Sequence, residues 1–291
     1  MDLEGHIVEL TQLRYFQTAA YYQHISRAAE ELNISQPALS TMISRLEKEL
    51  GVPLFDHNGR SIILNQNGQR FLQRVNHILM EVENSKRELQ DIADEGDNSI
   101  SLAVSSSQFL QGMHAFMYQH PNYKWNQRVA ENKEIAALLN RGQIDLAVTS
   151  PGIYGEVFES TLLLRDIFKL AVHKDNPLAQ RKSVRLEELT DQRFIMLLKG
   201  LPFRTQTDRI FADLGITPHY IMECDHLLRR ELINANAGVT IASQSASFRH
   251  LFSENIRFLD IEDVHHTRDI VMVHRKGRYL NRASRQFADF L

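Results

Sequence analysis

The chain has 291 residues, of which 43% are hydrophobic and 24% charged, a balance that fits a folded protein large enough for more than one core. Its net charge of −3 argues against coating nucleic acid by bulk charge, and its single cysteine excludes an internal disulfide. No run is long and apolar enough to span a bilayer and MDLEGHIVEL lacks the parts of a secretion signal, so no membrane partner and a cytoplasmic location are expected.

The first element is ELTQLRYFQTAAYYQ, helical, with Leu10, Leu13, Phe16 and Ala20 on one face. Residues 26–51, SRAAEELNISQPALSTMISRLEKELG, read as two short helices around a break at Asn33 and Ile34. Ser26 is the expected N-cap of the first, with Ala28, Ala29 and Leu32 as its apolar side. Ser35 caps the second and Pro37 sits in its first turn, where a missing N–H costs nothing. Leu39, Ile43, Leu46 and Leu50 form an inward stripe. The opposite face holds Gln36, Ser40, Thr41 and Ser44, short and uncharged where a solvated helix would show Glu and Lys. Such donors and acceptors on the N-terminal half of a helix suit base edges in a major groove, which makes Ser35, Gln36, Pro37, Ser40, Thr41 and Ser44 the expected DNA contacts, although a polar face in a helical hairpin would look similar. VPLFDHNGRSIILNQNG follows as a hairpin with Asn58-Gly59 at its turn and Arg60 at its tip, placed for phosphate or a minor groove. Three helices and a basic-tipped hairpin make a winged helix-turn-helix.

Leu13, Phe16, the Ala28-Ala29 pair, SQPALS at 35–40, LEKELGVPLF at 46–55 and Gly59-Arg60 resemble the LysR-type transcriptional regulators. Three positions depart from that pattern. Thr41 stands where Arg is common, His57 likewise, and Asn65 replaces a Thr before the next helix. From Leu10 to Val75 seven basic residues (Arg14, Arg27, Arg45, Lys48, Arg60, Arg70, Arg74) face five acidic ones (Glu30, Glu31, Glu47, Glu49, Asp56). A net of 7 − 5 = +2 is mild for a DNA reader, so a few placed groups must make the phosphate contacts.

Residues 66–94 read as one long helix. Phe71, Val75, Ile78, Val82, Ser85, Leu89 and Ile92 step by four and three, with Leu72 and Leu79 widening the seam. A strict seam with no adjacent apolar partner favours a second chain over packing on its own domain, and the resemblance implies a dimerisation linker. GDNS then forms a hinge.

Beyond it strands and helices alternate. ISLAV (100–104), WNQRV (125–129) and IDLAV (144–148) are strands, with helices at QFLQGMHAFMYQH and EIAALLNRG between them. FKLAV (168–172), a VRLEEL helix (184–189), RFIML (193–197), a helix in RTQTDRIFADLG, HYIME, a helix in HLLRRELINANAG, VTIA (239–242), RFLDI, DIVMV and a closing helix in YLNRASRQFADFL complete the run. Two α/β lobes account for this order. GxIDLAV, the Asn176-Pro177-Leu178 turn and the spacing Gly200, Arg204, Asp208, Phe211 resemble the effector-binding part of the same family, which implies a fold like periplasmic solute-binding proteins.

The expected architecture is therefore α/β, with a winged helix-turn-helix at 1–65, a linker helix at 66–95 and a two-lobed effector-binding domain at 96–291. Lobe I takes about 99–165 with 267–291, and lobe II about 166–266. Ligands of such folds bind at strand C-termini and helix N-termini. Ser105, Ser106 and Ser107 follow the first strand and open its helix, an arrangement suited to a carboxylate or another anion, while one serine would suffice as a plain cap. Thr149 and Ser150 end another strand, and Leu198, Leu201, Pro202, Phe203 and Arg204 precede the facing helix. Arg204 is equally an anion clamp or a structural residue, and Phe203 equally pocket wall or core. Cys224 reads as buried structure, having no resolving partner, and His265-His266 as a solvated loop without a third metal ligand. No catalytic residue, metal or cofactor emerges, because no G-x-S-x-G, Walker, GxGxxG or Cys-x-x-Cys pattern occurs. An α/β binding protein or enzyme is the alternative, but it needs neither a helix-turn-helix nor a dimer seam. The expected partners are double-stranded operator DNA, a small anionic effector and a second copy of the chain. Pairing of dimers into a homotetramer and contact with RNA polymerase are implied by the resemblance.

Overall fold

The computed structural model describes residues 8–58, 61–93, 98–110, 113–243 and 253–291, with the backbone alone for residues 57, 58, 61, 107 and 108. The chain divides into two units, Met1–Asp97 with Asn140–Gly142, and Asn98–Leu139 with Gln143–Leu291.

In the first unit α1 (Leu10–Tyr22), α2 (Ile25–Glu31) and α3 (Gln36–Leu50) enclose a core in which Phe16, Ala28, Leu39 and Leu46 are fully buried. Leu10 is 45% exposed: as the first helical residue it lies past the edge of the core it was expected to join. The cap of α2 is also not the expected one. Its N-cap is His24, two residues earlier in the chain, and the Ser26 hydroxyl instead donates to Gln36 Oε1 at 2.9 Å. Asn33, at φ 55°, makes the left-handed break, which a short polar side chain tolerates. The Ser35 hydroxyl accepts the Ala38 N–H at 3.3 Å, Pro37 sits in the first turn of α3, and Gly51 ends it.

β1 (Phe55–Asn58) and β2 (Ser61–Leu64) pair antiparallel with Asn58 opposite Ser61. The turn residue Gly59 and Arg60 at the expected tip lie outside the described residues. α4 (Gln66–Ile92) follows, and Asn65 caps it by accepting the Gly68 N–H at 2.9 Å. Gly68 permits the close crossing of this first turn over the wing, because a Cβ there would lie 2.1 Å from the Leu54 carbonyl oxygen. The apolar seam of α4 divides in two. Phe71, Leu72, Val75 and Leu79 close their own unit's core, with the Phe71 ring 5.1 Å from that of Phe16. Ile78, Leu89 and Ile92 stand 44%, 67% and 73% exposed. The hinge expected after α4 falls on residues 94–97, outside those described.

In the second unit β3 (Ser99–Val104) pairs in parallel with β4 (Lys124–Val129) and β5 (Leu146–Thr149). α5 (Met113–Gln119) and α6 (Asn132–Asn140) are the intervening helices. The helix expected across 108–120 begins instead as a 3-10 turn at Ser107–Leu110. The ladder continues through β12 (Thr267–Arg275) to β6 (Phe158–His173). β6 was expected only as FKLAV. Its first part, FESTLLLRDI, mixes Leu162, Leu163 and Leu164 with polar residues and is largely exposed or half-buried where it pairs with β12 alone, so it lacks the longer apolar run that marks a fully buried strand. From Phe168 it exchanges that partner for β10 (Thr240–Ser243) and β11 (Ile256–Ile261). One strand thus serves both lobes.

Lobe I packs β3, β5 and β12 against α9 (Arg282–Phe290), with Ile100, Leu102, Leu146 and Phe287 fully buried. In lobe II, β8 (Phe194–Leu197) pairs in parallel with β9 (Tyr220–Cys224), and α7 (Pro202–Asp213) and α8 (His226–Asn234) follow those two strands. The expected VRLEEL helix is a correction. β7 (Ser183–Val184) lies beside β11 and only one 3-10 turn, Leu186–Leu189, follows. Val184 is committed to the β7–β11 ladder opposite Ile261, and the Asp263 carboxylate accepts the Leu186 and Glu187 N–H groups at 3.0 and 3.4 Å at the start of the short turn. No helix among the described residues is long and apolar enough to cross a membrane.

Candidate functional site

The outward face of α3 is the first candidate. Gln36, Pro37, Thr41 and Ser44 are exposed and Ser40 is half-buried, while Ser35 is exposed and committed to the cap. The acids of the same helix are turned to the scaffold. Glu47 accepts the N–H groups of Leu54 and Phe55 at 2.7 and 3.2 Å, tying the wing to α3. Glu49 accepts from Gln12 at 3.2 Å and pairs with Arg45 at 2.8 Å. Amide and hydroxyl groups therefore dominate the first turns, at the positive end of the helix dipole.

The second candidate is a cavity of about 130 Å³ between the lobes. Ser105, Ser106, Phe109, Val129 and Ser150 form its lobe I wall. Leu201, Pro202, Phe203 and His226 face them, and Arg268 comes from β12. Each expected residue can now be placed. The Ser105 hydroxyl accepts the Ser150 N–H at 3.1 Å, so it joins two strand ends as well as lining the cavity. Ser106 lines the wall, and the Ser107 side chain lies outside the described residues. Thr149 is fully buried, off the lining, and its hydroxyl has no hydrogen-bond partner among the described residues. Leu198 is 46% exposed and also off the lining. Arg204 is held elsewhere: its guanidinium donates to Asp208 at 2.6 Å, to the Leu197 carbonyl at 2.6 Å and to Glu223 at 2.8 Å. The geometry favours the structural side of that alternative. Phe203 serves both roles, lining the cavity and packing in the lobe II core.

The cation at the cavity is Arg268, only 5% exposed. Its Nε donates to the Ser150 hydroxyl at 3.1 Å, and its guanidinium lies 5.0 Å from the Phe109 ring and 4.8 Å from the Phe203 ring. Burial lowers it to about 10, with Asp166 opposing that shift, so it stays cationic at neutral pH. Burial also pushes His226 down to about 4, helped by Arg229 and Arg268 and opposed by Asp225. The N-terminus of α7 opens at Leu201 and Pro202 without a side-chain cap, adding a positive dipole end. These groups suit a small anion.

Sequence reasoning missed Arg268, His226, Phe109 and Val129. Two carried a signal. Arg268 is a cation opening the apolar strand TRDIVMV, and His226 follows a strand end just as Ser105 does. The remaining candidates act locally. The Cys224 thiol contacts the Met196 carbonyl at 3.8 Å and burial pushes its pKa up. His266 pairs with Asp213 at 2.9 Å. Among the described residues no group of three His, Cys, Asp or Glu side chains is placed to hold a metal ion.

Two family models cover nearly all of the chain. "Bacterial regulatory helix-turn-helix protein, lysR family" matches residues 10–69, and "LysR substrate binding domain" matches residues 94–291. The HTH-type transcriptional regulator YybE of Bacillus subtilis is 31% identical over 98% of both chains. The RuBisCO operon transcriptional regulator of Allochromatium vinosum is 25% identical over 98% of this chain and 95% of that one. Among solved structures, a variant of full-length OxyR from Pseudomonas aeruginosa has the same fold at TM-score 0.67 and 22% identity, covering 97% of this chain and 93% of its own. Full-length CbnR complexed with its target DNA gives TM-score 0.55 at 22% identity and 97% coverage of each chain.

Proposed function

The chain belongs to the LysR family of DNA-binding transcriptional regulators, and from that premise we propose that a small anionic metabolite bound between its lobes controls how it holds operator DNA. One observation carries the ligand class. A guanidinium, that of Arg268, is buried at an interlobe cavity between two aromatic rings, beside an uncapped helix N-terminus. A compact anion there would touch both lobes, and a ligand shifts a population only through such differential contact.

The DNA contacts assigned to this reading are Ser35, Gln36, Pro37, Ser40, Thr41 and Ser44 on the major-groove side, with Arg60 on the backbone or minor groove. The exposed Ile78, Leu89 and Ile92 support a homodimer through the C-terminal half of α4. Two recognition helices would then register on two half-sites. Pairing into a tetramer and contact with RNA polymerase extend the same reading.

DNase footprinting of the DNA flanking its own gene, with and without a panel of small carboxylates, tests it. The wild type should change its footprint with at least one carboxylate. Arg268→Met should keep the ligand-free footprint and lose the change. An Arg268→Met protein that responds like the wild type would overturn the anion site.

A further inference from the structure

The cavity wall holds a charge arrangement with a consequence for what can enter. Around the His226 imidazole stand Arg229 on the same helix, Arg268 on β12 and Asp225 at the helix cap, with Asp166 of β6 opposite Arg268. Among the described residues these charges are of both signs, and the imidazole itself is neutral in the ligand-free protein at neutral pH, its pKa lowered to about 4 by burial and the two arginines. An anion entering this cavity sets a negative charge beside a neutral imidazole. One polar atom of a lining residue, Nδ1 of His226, lacks a hydrogen-bond partner among the described residues, as does Nε of the buried Arg229 on the same helix. Orphaned buried groups of this kind are normally completed by water or a ligand.

We propose that the cavity binds a compact monoanion together with one proton, which the His226 imidazole takes up from solvent. This rests on the anion site proposed above. Neutral imidazole has one N–H to offer, whereas imidazolium donates from both ring nitrogens and sets a positive charge beside the anion. A volume of about 130 Å³ suits a ligand of roughly the size of a benzene ring bearing one charged group. The Phe109 and Phe203 walls favour a flat or apolar remainder over a second charge.

Linkage sets the sign. The anion raises the imidazole pKa, so affinity is flat above the bound-state pKa and rises as pH falls below it, by up to about tenfold per pH unit. The test is calorimetry on the full chain with formate, lactate and benzoate. Each is titrated from about pH 7.5 to about pH 5.5, where these carboxylates stay ionised, in two buffers of different ionisation enthalpy. At least one probe should bind more tightly at the lower pH by about threefold or more, with net proton uptake read from the buffer dependence. His226→Gln should bind that probe with no pH dependence and no uptake, and His226→Asn serves if the first variant fails to fold. Proton uptake in the wild type needs no variant. Wild-type binding with no pH dependence and no proton exchange would overturn the proton inference and leave the anion site standing. No binding by any probe, or equal binding by Arg268→Met, would overturn both.

Discussion

On α3 the candidate contact groups follow one another from Gln36 to Ser44, within about two and a half turns, and most stand in solvent. Around the interlobe cavity the groups come from residues as distant as Ser105 and Arg268, and the strongest charge is 5% exposed. The first surface is uncharged because its acids are turned inward, Glu47 to the wing and Glu49 to Gln12. The second is charged because its cation is held by a hydroxyl and two rings. An exposed reading surface can be altered without touching the fold. A buried binding surface is part of the fold, so alterations there change stability and binding together.

The largest expected effect tests whether the two regions stand apart. Phe16→Ala removes the ring packed against Phe55 and Phe71 and should destabilise the first unit by about 3–5 kcal/mol. Urea unfolding followed by circular dichroism should show an early transition, DNA binding should fail, and carboxylate binding should persist. Loss of carboxylate binding as well would break the separation. Next is assembly. Ile78→Asp with Leu89→Asp, both exposed in the single chain, should leave the monomer folded and dissociate the dimer, since each charge would be buried unpaired. An unchanged mass by light scattering would refute the seam.

Thr41→Glu sharpens the reading side. It sets a negative charge on an exposed helix face and should weaken operator binding by about a hundredfold, roughly 3 kcal/mol, with no change in Tm. Equal affinity in a gel-shift assay would remove α3 from the groove. The cavity side predicts a pH effect. His226 is held near 4 in the folded chain and titrates at about 6.5 unfolded, so the unfolded state binds the extra proton. Stability should therefore fall as pH drops from about 6.5 towards 4, by about 1–2 kcal/mol at about pH 5. His226→Gln should flatten that slope in denaturant titrations, and an unaltered slope would show that the imidazole is not held neutral. The smallest effect is at the cap of α4: Asn65→Ala should cost about 1 kcal/mol of first-unit stability and leave carboxylate binding unchanged.

What could be read from the sequence alone was local. Ser35, Pro37 and Gly51 bound α3 because caps act on the next few N–H or C=O groups, and the stripe Leu39, Ile43, Leu46 follows from helical spacing. The alternating α/β order has the same origin, whereas Asn65, read as a departure from a familiar cap, caps α4 through its side-chain oxygen all the same. Tertiary structure decided whatever depended on a distant partner. The apolar seam of α4 looks uniform in sequence, yet Val75 is core and Leu89 is exposed, because only the first half meets Phe16 and its neighbours. VRLEEL has helical spacing, but its first residue is drawn into a strand opposite Ile261, more than seventy residues on, which leaves room for one 3-10 turn. Arg204 and Arg268 look alike as isolated arginines. Asp208 and Glu223 hold the first away from the cavity, and β6, by pairing in turn with β12 and with lobe II, brings the second to its wall. Periodicity and capping are set by neighbours in the chain, whereas burial of charge is set by whichever elements the fold brings around it.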